Sequence, residues 1–505
     1  MAFRLAQLPL TVILLGVTAL MAWLPALHAL ILRDHLTARG FFYSGAILIV
    51  LAVMLALATA SWRPRNAARS HLAALVAAYL VLPVAMALPL LQAVPDTTFT
   101  NAWFEMLSAF TTTGAAGYAP ERLPPSVHLW RALIGWFGGF FILLAAYAVL
   151  APLNLGGAEV ISGRVPGRGT TGVTQITRIA DPSERITRHA LEIFPVYAGL
   201  TLLLWMALLL AGEDGLMALT HAMGTLSTSG ISAGQGPQDT PVRILDEVLI
   251  LGFLIFAVTR RALPLTGLTD RSRPLRQDPE LRTALLLVGL VPLVLLAHHW
   301  LFALTVPDVG FLSGVAATLW GAVFTAGSFL TTTGYESAHW GQARVWSGLQ
   351  APGMMLLGLA IFGGGVATTA GGVKLLRVYA LFRHGERELE RIVHPSSIGG
   401  KGAAARRLRR EGAYMAWVFF MLFAMSIAGV TLFLSMCGLE FQSALVLSIA
   451  ALTTTGPLAD VALADPIAYG PLSGMVKLVL GAAMIVGRLE TLALIALIAP
   501  GGWRR

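Results

Sequence analysis

Apolar residues run along this chain in long unbroken stretches, with polar residues gathered between them. Runs at about 8–32 and 41–61 predict two helices joined by the short Arg33-Asp34-His35 turn. About 20 apolar residues suffice to cross a bilayer. The first run is longer than the apolar core of a signal peptide, about 7–15 residues. It reads as a transmembrane helix that is not cleaved.

One pattern then recurs four times: a long apolar helix, a shorter amphipathic run, a hydroxyl-rich tetrad, and a second apolar helix. In the first unit the helices fall at about 71–93 and 130–153, around a short run from Asn101 to Phe110. In the second they fall at 189–211 and 244–263, around a run ending at Leu226. In the third they fall at 283–304 and 349–383, around a run ending at Leu330. In the fourth they fall at 413–437 and 474–499, around a run ending at Leu452. The short runs are too short to span a bilayer at about 1.5 Å per residue. Each predicts a half-helix that enters and turns back. A period of roughly 110 residues exceeds that of solenoid repeats. The expected organisation is an N-terminal two-helix addition at 1–69 and four units at 70–188, 189–282, 283–411 and 412–505.

The tetrads are Thr111-Thr112-Thr113-Gly114, Ser227-Thr228-Ser229-Gly230, Thr331-Thr332-Thr333-Gly334 and Thr453-Thr454-Thr455-Gly456. Non-helical backbone at membrane depth is tolerated only where it is buried or lines water. Four such loops around one axis would stack rings of carbonyl and hydroxyl oxygens, the ligands of a dehydrated monovalent cation. The tetrads contain no carboxylates, which argues against a divalent ion. The residue after each glycine varies (Ala115, Ile231, Tyr335, Pro457), so the ring is only approximately fourfold.

Composition supports a polytopic membrane protein. The chain has 505 residues, 56% hydrophobic and 12% charged, with a mean hydropathy of +0.74. Soluble domains are about 45–50% apolar and about 25% charged. The single cysteine, Cys437, excludes a disulfide within one chain, and the eleven histidines show no ligand-like spacing. The net charge of +9 comes from basic connections rather than a nucleic-acid surface. Residues 62–70 carry three Arg, 154–188 five, 260–282 six, and 383–411 seven plus Lys401. Basic loops stay cytoplasmic, which turns the tetrads outward. Near them lie Asp96, Glu105, Glu121, Glu213, Asp214, Asp239, Asp308, Glu336, Asp460 and Asp465. They form either an acidic mouth that concentrates cations or an ordinary acidic exterior.

Two further features interrupt apolar helices. Residues 363–374 include Gly363, Gly364, Gly365, Thr368, Thr369, Gly371, Gly372 and Lys374. So many glycines should break a helix. The stretch reads as a flexible gate below the tetrads, with close packing through small residues as the alternative. Lys374 and Arg377 are expected at the cytoplasmic interface. Arg488 and Glu490 lie in the last apolar helix, two residues apart, so they do not face each other. Arg488 either faces the pore as an electrostatic brake or snorkels to the interface.

These residues resemble the Trk/Ktr/HKT superfamily of potassium transporters. Ser108-Ala109-Phe110, Gly135-Trp136-Phe137-Gly138-Gly139, Asp278-Pro279-Glu280-Leu281-Arg282, Phe329-Leu330, Gly371 to Arg377, Arg387-Glu388-Leu389 with Val393-His394-Pro395, and Gly487-Arg488-Leu489-Glu490 carry the similarity. The two added N-terminal helices are similar to the TrkH/TrkG branch. The resemblance implies an all-α fold with four helix–pore-loop–helix repeats around a central pore, and potassium uptake across the bacterial inner membrane. It implies filter glycines at Gly114, Gly230, Gly334 and Gly456, a gating loop at 363–374 and a pore arginine at Arg488. Four glycines favour potassium. It further implies a homodimer and a cytoplasmic ring of TrkA-like RCK subunits that bind nucleotide. This chain carries no Walker or Rossmann fingerprint, so potassium is its expected cargo and no cofactor is expected on it. The chain departs at Val258-Thr259-Arg260-Arg261, which lacks the usual Asn-Phe pattern, at the Thr-rich fourth tetrad, and in the Ala-Thr-Thr-Ala-Gly-Gly loop. A proton- or sodium-coupled symporter is the rival, with Glu490 as its best ionisable candidate. No nucleophile–base pair or metal cluster suggests an enzyme.

Overall fold

The computed structural model describes residues 8–60, 67–153, 155–157, 160, 182–234, 236–237, 243–264, 274–301, 313–349, 351–394 and 410–498. The basic connections 161–181, 265–273 and 395–409, with Asp239 and Asp308, lie outside the described residues. Among the described residues all regular structure is helical. Seven helices are long and apolar enough to cross a membrane: Leu10–Ile31, His35–Thr59, Ser70–Ala93, Pro125–Leu153, Arg185–Ala211, Pro279–Leu301 and Gly412–Met436. The first two are the N-terminal pair. Four of the others open the four units, and Pro125–Leu153 closes the first.

Four short helices end at the tetrads: Phe99–Phe110, Gly215–Ser227, Ser313–Leu330 and Phe441–Leu452. Polar side chains cap the first two where the sequence turns. Thr98 accepts from the Asn101 N–H at 3.3 Å, and Asp214 accepts from the Leu216 N–H at 3.3 Å. Such caps satisfy donors that a helix start leaves free.

Glycine lets the long helices reach the tetrads. A Cβ on Gly138 would collide with the Phe110 backbone, and one on Gly139 with Ser227. A Cβ on Gly487 would collide with the Leu452 backbone. The Pro125–Ala145 helix therefore braces the ends of two short helices at once. Around Phe110 the rings of Tyr79 and Phe141 pack with centroids 5.0 and 5.6 Å away.

The second helices of the last three units are each broken. The break at the glycine-rich stretch is the expected one, whereas those in the second and fourth units interrupt apolar runs that read as continuous. Arg243–Phe253 is followed by Ile255–Val258 and then extended Thr259. Gly353–Phe362 and Leu375–Val393 flank the glycine-rich stretch. Gly474–Leu489 stops at Glu490, whose φ is +62°, before Thr491–Ile498. Polar backbone exposed by one break meets another, as described below, so the breaks stabilise each other. An additional helix, Trp340–Ser347, follows the third tetrad. His298 and His299 donate Nδ1–H to its last carbonyls, Ser347 and Trp346, at 2.6 and 2.8 Å.

Gly138→Ala should lower the thermal stability of the detergent-solubilised protein by about 1–3 kcal/mol through overpacking. Gly289→Ala, in a helix with open space at that Cβ, should be neutral or stabilising by up to about 1 kcal/mol. Equal melting temperatures for the two variants would remove the close approach at Gly138.

Candidate functional site

The four tetrads close into a ring. A Cβ on Gly114 would strike the Ser229 carbonyl, one on Gly230 the Thr333 carbonyl, and one on Gly334 the Pro457 ring. The Gly456 N–H donates to the Thr113 carbonyl at 2.6 Å. Each tetrad thus touches the next in chain order, and the last returns to the first.

The local conformation is shared. Thr112, Thr228, Thr332 and Thr454 all have φ between +53° and +58°. Gly114, Gly230 and Gly334 are also left-handed, at +71°, +64° and +84°. Left-handed backbone is costly for residues with a Cβ, so four threonines held there mark a strongly determined site. Alternating handedness turns successive peptide planes toward the same side. Gly456 is the exception: its φ is not positive, and Pro457 starts the helical turn Leu458–Val461.

The hydroxyls are arranged in two sets. The first residue of each tetrad bonds back to its short helix: Thr111 to Leu107 O (2.8 Å), Ser227 to Met223 O (2.7 Å), Thr331 to Gly327 O (3.0 Å) and Thr453 to Ile449 O (2.7 Å). It also bonds the third residue, at 2.8 to 3.2 Å. These hydroxyls brace the loop from behind. The second-position threonines do not behave alike. Thr228 bonds the Ser227 carbonyl at 2.7 Å. Thr112 and Thr454 keep buried hydroxyls with no hydrogen-bond partner among the described residues. A buried unpaired hydroxyl is costly.

Thr332 is the fourth, and it meets the glycine-rich stretch. Its Oγ1 accepts the Gly371 N–H at 2.7 Å. A Cβ on Gly371 would collide with the Thr453 carbonyl and Thr454 Oγ1. Residues 363–374 are buried throughout and lie directly against the tetrads. Gly363, Ala367, Gly372 and Lys374 have positive φ. Gly364 and Gly365 pass so close to Ala257 and Val258 that a side chain would clash.

Nearby breaks hold this loop. Ala257 O accepts the Gly365 N–H (2.9 Å) and the Thr368 hydroxyl (3.0 Å). Glu280 Oε1 accepts the Val366 N–H at 2.8 Å. Arg488 Nη1 donates to Thr369 O at 2.7 Å. Lys374 Nζ turns back onto Ala370 O. Thr259 donates to Asp278 Oδ2 at 2.5 Å, so the segment that departs from the family pattern anchors the Asp278–Glu280 turn that grips the loop.

Charges expected at an interface are inside. Lys374 is 8% exposed and Arg377 0%. Arg377 pairs with Glu490 at 2.7 Å and lies over the Phe419 ring, 3.7 Å from its centroid. Arg488 is 5% exposed, which excludes snorkelling. Its Nε and Nη2 have no hydrogen-bond partner among the described residues.

The acidic residues near the tetrads differ in exposure. Glu105 and Glu213 are buried. Asp96 pairs with Arg122 at 2.6 Å. Glu121, Asp214, Asp460 and Asp465 are exposed. Glu336 is half-buried, and its carboxyl is pushed up to about 7, by burial first and by the neighbouring Asp460 charge second, against the pull of Arg344.

Residues 38–502 match a family of cation transport proteins, TrkH. The Trk system potassium uptake protein TrkH of Escherichia coli K12 is 29% identical over 500 residues, covering 95% of each chain. The TrkG protein of the same organism is 27% identical over 438 residues, covering 84% of each. The crystal structure of the potassium transporter TrkH from Vibrio parahaemolyticus superposes with a TM-score of 0.80 at 26% identity, covering 100% of both chains.

Thr332→Val should leave the Gly371 N–H buried and unpaired, a cost of about 1–3 kcal/mol. Hydrogen exchange across 363–374 should accelerate, while the Pro125–Ala145 helix stays protected. Unchanged exchange in the loop would mean that Thr332 does not hold it.

Proposed function

The chain belongs to the TrkH family of cation transport proteins, and on that premise we propose that it takes up potassium through a channel-like pore, with the four tetrads as its selectivity filter. The family is one of transporters rather than enzymes, and the chain is a multi-pass membrane protein. The observation that carries the reading is the closed ring of tetrads, with the Thr112 and Thr454 hydroxyls unpaired. Carbonyl and hydroxyl oxygens without ring carboxylates suit a monovalent cation stripped of its water.

The filter comprises Thr111 to Gly114, Ser227 to Gly230, Thr331 to Gly334 and Thr453 to Gly456. The loop 363–374 is the gate, since it packs against the filter and is pinned by Thr332, Glu280 and Arg488. Arg488 is the brake: one guanidinium bond holds the gate shut, and its charge opposes a cation beneath the filter. Glu490 is already paired with Arg377. That favours passive flow over proton coupling, which needs a carboxyl free to exchange its proton.

The basic connections face the cytoplasm by the positive-inside rule, and the filter opens to the exterior of the bacterial inner membrane. The relatives are named as parts of a Trk system. That name supports a multi-component system, and we propose a homodimer with a TrkA-like RCK ring that binds nucleotide.

Rubidium or potassium uptake, in cells lacking their own potassium systems, tests the function with and without a TrkA-type partner. Uptake is expected; none in either condition overturns the reading. Gly114→Ser should lower the preference for potassium over sodium, because the added atoms press on the Ser229 carbonyl. Unchanged selectivity would take Gly114 out of the filter.

Arg488→Ala should raise the potassium flux per molecule in reconstituted vesicles. A flux equal to wild type would mean that Arg488 is not a brake.

A further inference from the structure

Superimposing the sequence on its own repeat isolates one position in each short helix, nine residues before the tetrad glycine. These are Glu105, His221, Thr325 and Leu447, before Gly114, Gly230, Gly334 and Gly456. In the first three units the side chain there grips the strand that leaves the tetrad. Glu105 Oε2 accepts the Gly117 N–H at 2.8 Å. Thr325 Oγ1 accepts the Ser337 N–H at 3.2 Å. His221 Nε2 stands 2.9 Å from Ser232 Oγ.

The grips rest on buried charge. Glu105 pairs with Arg131 at 2.6 Å. In the third unit, Glu247 accepts from the Ser337 hydroxyl at 3.0 Å and the Ala338 N–H at 2.9 Å. In the second, His221 Nδ1 meets Glu213 Oε1. In the fourth, an apolar leucine makes no such bond, and the Tyr469 hydroxyl bonds the Gly456 carbonyl instead, at 2.9 Å.

The second unit's grip is a chain of three side chains. A carboxylate can only accept, so Glu213 takes the Nδ1–H. In the neutral imidazole this leaves Nε2 to accept the Ser232 hydroxyl proton. Ser232 Oγ in turn accepts the Gly234 N–H at 3.1 Å. The Thr220 hydroxyl takes the adjacent Ala233 N–H at 3.2 Å. The Tyr335 ring, which follows the third glycine, stands edge-on to His221 at 5.6 Å, and its hydroxyl reaches the Ile231 carbonyl at 3.4 Å. The imidazole thus touches both the second strand and the neighbour that seats it. His221 is 0% exposed and Glu213 5%. Glu213 Oε2 has no hydrogen-bond partner among the described residues, an expense that packing alone does not require.

We propose that Glu213, His221 and Ser232 are positioning residues that set the height of the second strand's carbonyls, and so the potassium-over-sodium discrimination of the ring. This deepens, and rests on, the reading of the tetrads as a potassium filter. None of the three touches the ion. They act through Gly230 and Ile231, at the one tetrad built with two serines. Selectivity among ions of one charge depends on where the oxygens sit and how far they yield. The strand that a removable bond holds in place is where that geometry is adjustable.

The test uses the full chain in vesicles, measuring potassium uptake with sodium as competitor, normalised to folded protein. Ser232→Ala should raise the KM for potassium about 3- to 10-fold, the worth of one hydrogen bond, and lower potassium-over-sodium discrimination by a similar factor. Vmax should hold near wild type. Ser232→Thr keeps the hydroxyl and should restore both. His221→Leu copies the fourth unit's residue and, because it also strands the buried Glu213 carboxylate, should shift both at least as far as Ser232→Ala, whereas Glu213→Gln keeps the volume and should give a smaller shift. If Ser232→Ala misfolds, the comparison of Glu213→Gln with wild type decides. A wild-type KM and wild-type discrimination in the folded variants would overturn the inference while leaving the filter reading in place. So would a loss of Vmax alone, the sign of a purely structural role. A wild-type chain that moved no potassium would overturn both.

Discussion

Peptide groups at membrane depth have no water to bond, and that constraint organises this molecule. Helices satisfy it internally. Wherever the backbone leaves the helix, another part of the chain must supply partners, or an ion must. The glycine-rich loop draws its partners from Ala257, Glu280, Thr332 and Arg488. Those groups come from three different units. The broken helices are therefore mutually dependent: the carbonyl freed at Ala257 is filled by the Gly365 and Thr368 donors. In the tetrads the second-position side-chain hydroxyls of Thr112 and Thr454 are among the buried polar atoms left without a partner among the described residues.

The incomplete matching separates two kinds of threonine in one motif. Those at the first and third positions face back into the protein and hold the strand. Those at the second position are left-handed and turn their oxygen elsewhere. A run of three identical residues thus does two jobs. Serine replaces threonine in the second tetrad only at the first and third positions, where a hydroxyl is needed and a methyl is not. The left-handed second position is Thr in all four.

Much of this was legible in the sequence. The tetrads, the short helices and the glycine-rich break stood out because repetition made them improbable by chance. The close approach of Gly138 and Gly139 lies within a stretch already singled out. What stayed hidden were the breaks at Leu254 and Glu490, because apolar composition reads the same through a break as through a helix. Lys374 and Arg377 were placed at an interface because a lone cation there normally snorkels. The partners that bury Arg377 are Glu490, 113 residues away, and the ring of Phe419, and no local pattern announces such a pairing. The Trp340–Ser347 helix has no counterpart in the repeated pattern, although Trp340, Ala343 and Trp346 are buried at helical spacing. His221 was dismissed with the other histidines for lack of ligand spacing. Aligning the four tetrads on their glycines would have found it.

Two arginines beneath the ring show how charge is divided there. Arg377 has a carboxylate and an aromatic face, so its charge is neutralised where it sits. Arg488 has one carbonyl and no acidic partner within hydrogen-bonding reach among the described residues. Burying a cation without a hydrogen-bonded counter-charge costs several kcal/mol. An uncompensated positive charge repels any cation that enters the same space, and it is itself relieved when the loop it holds moves away or an anion approaches. Arg488 and the glycine-rich backbone are joined by one hydrogen bond, at Thr369. On the proposed reading of that loop as a gate, a pull on the Leu375–Val393 helix, which begins where the loop ends, acts on this bond.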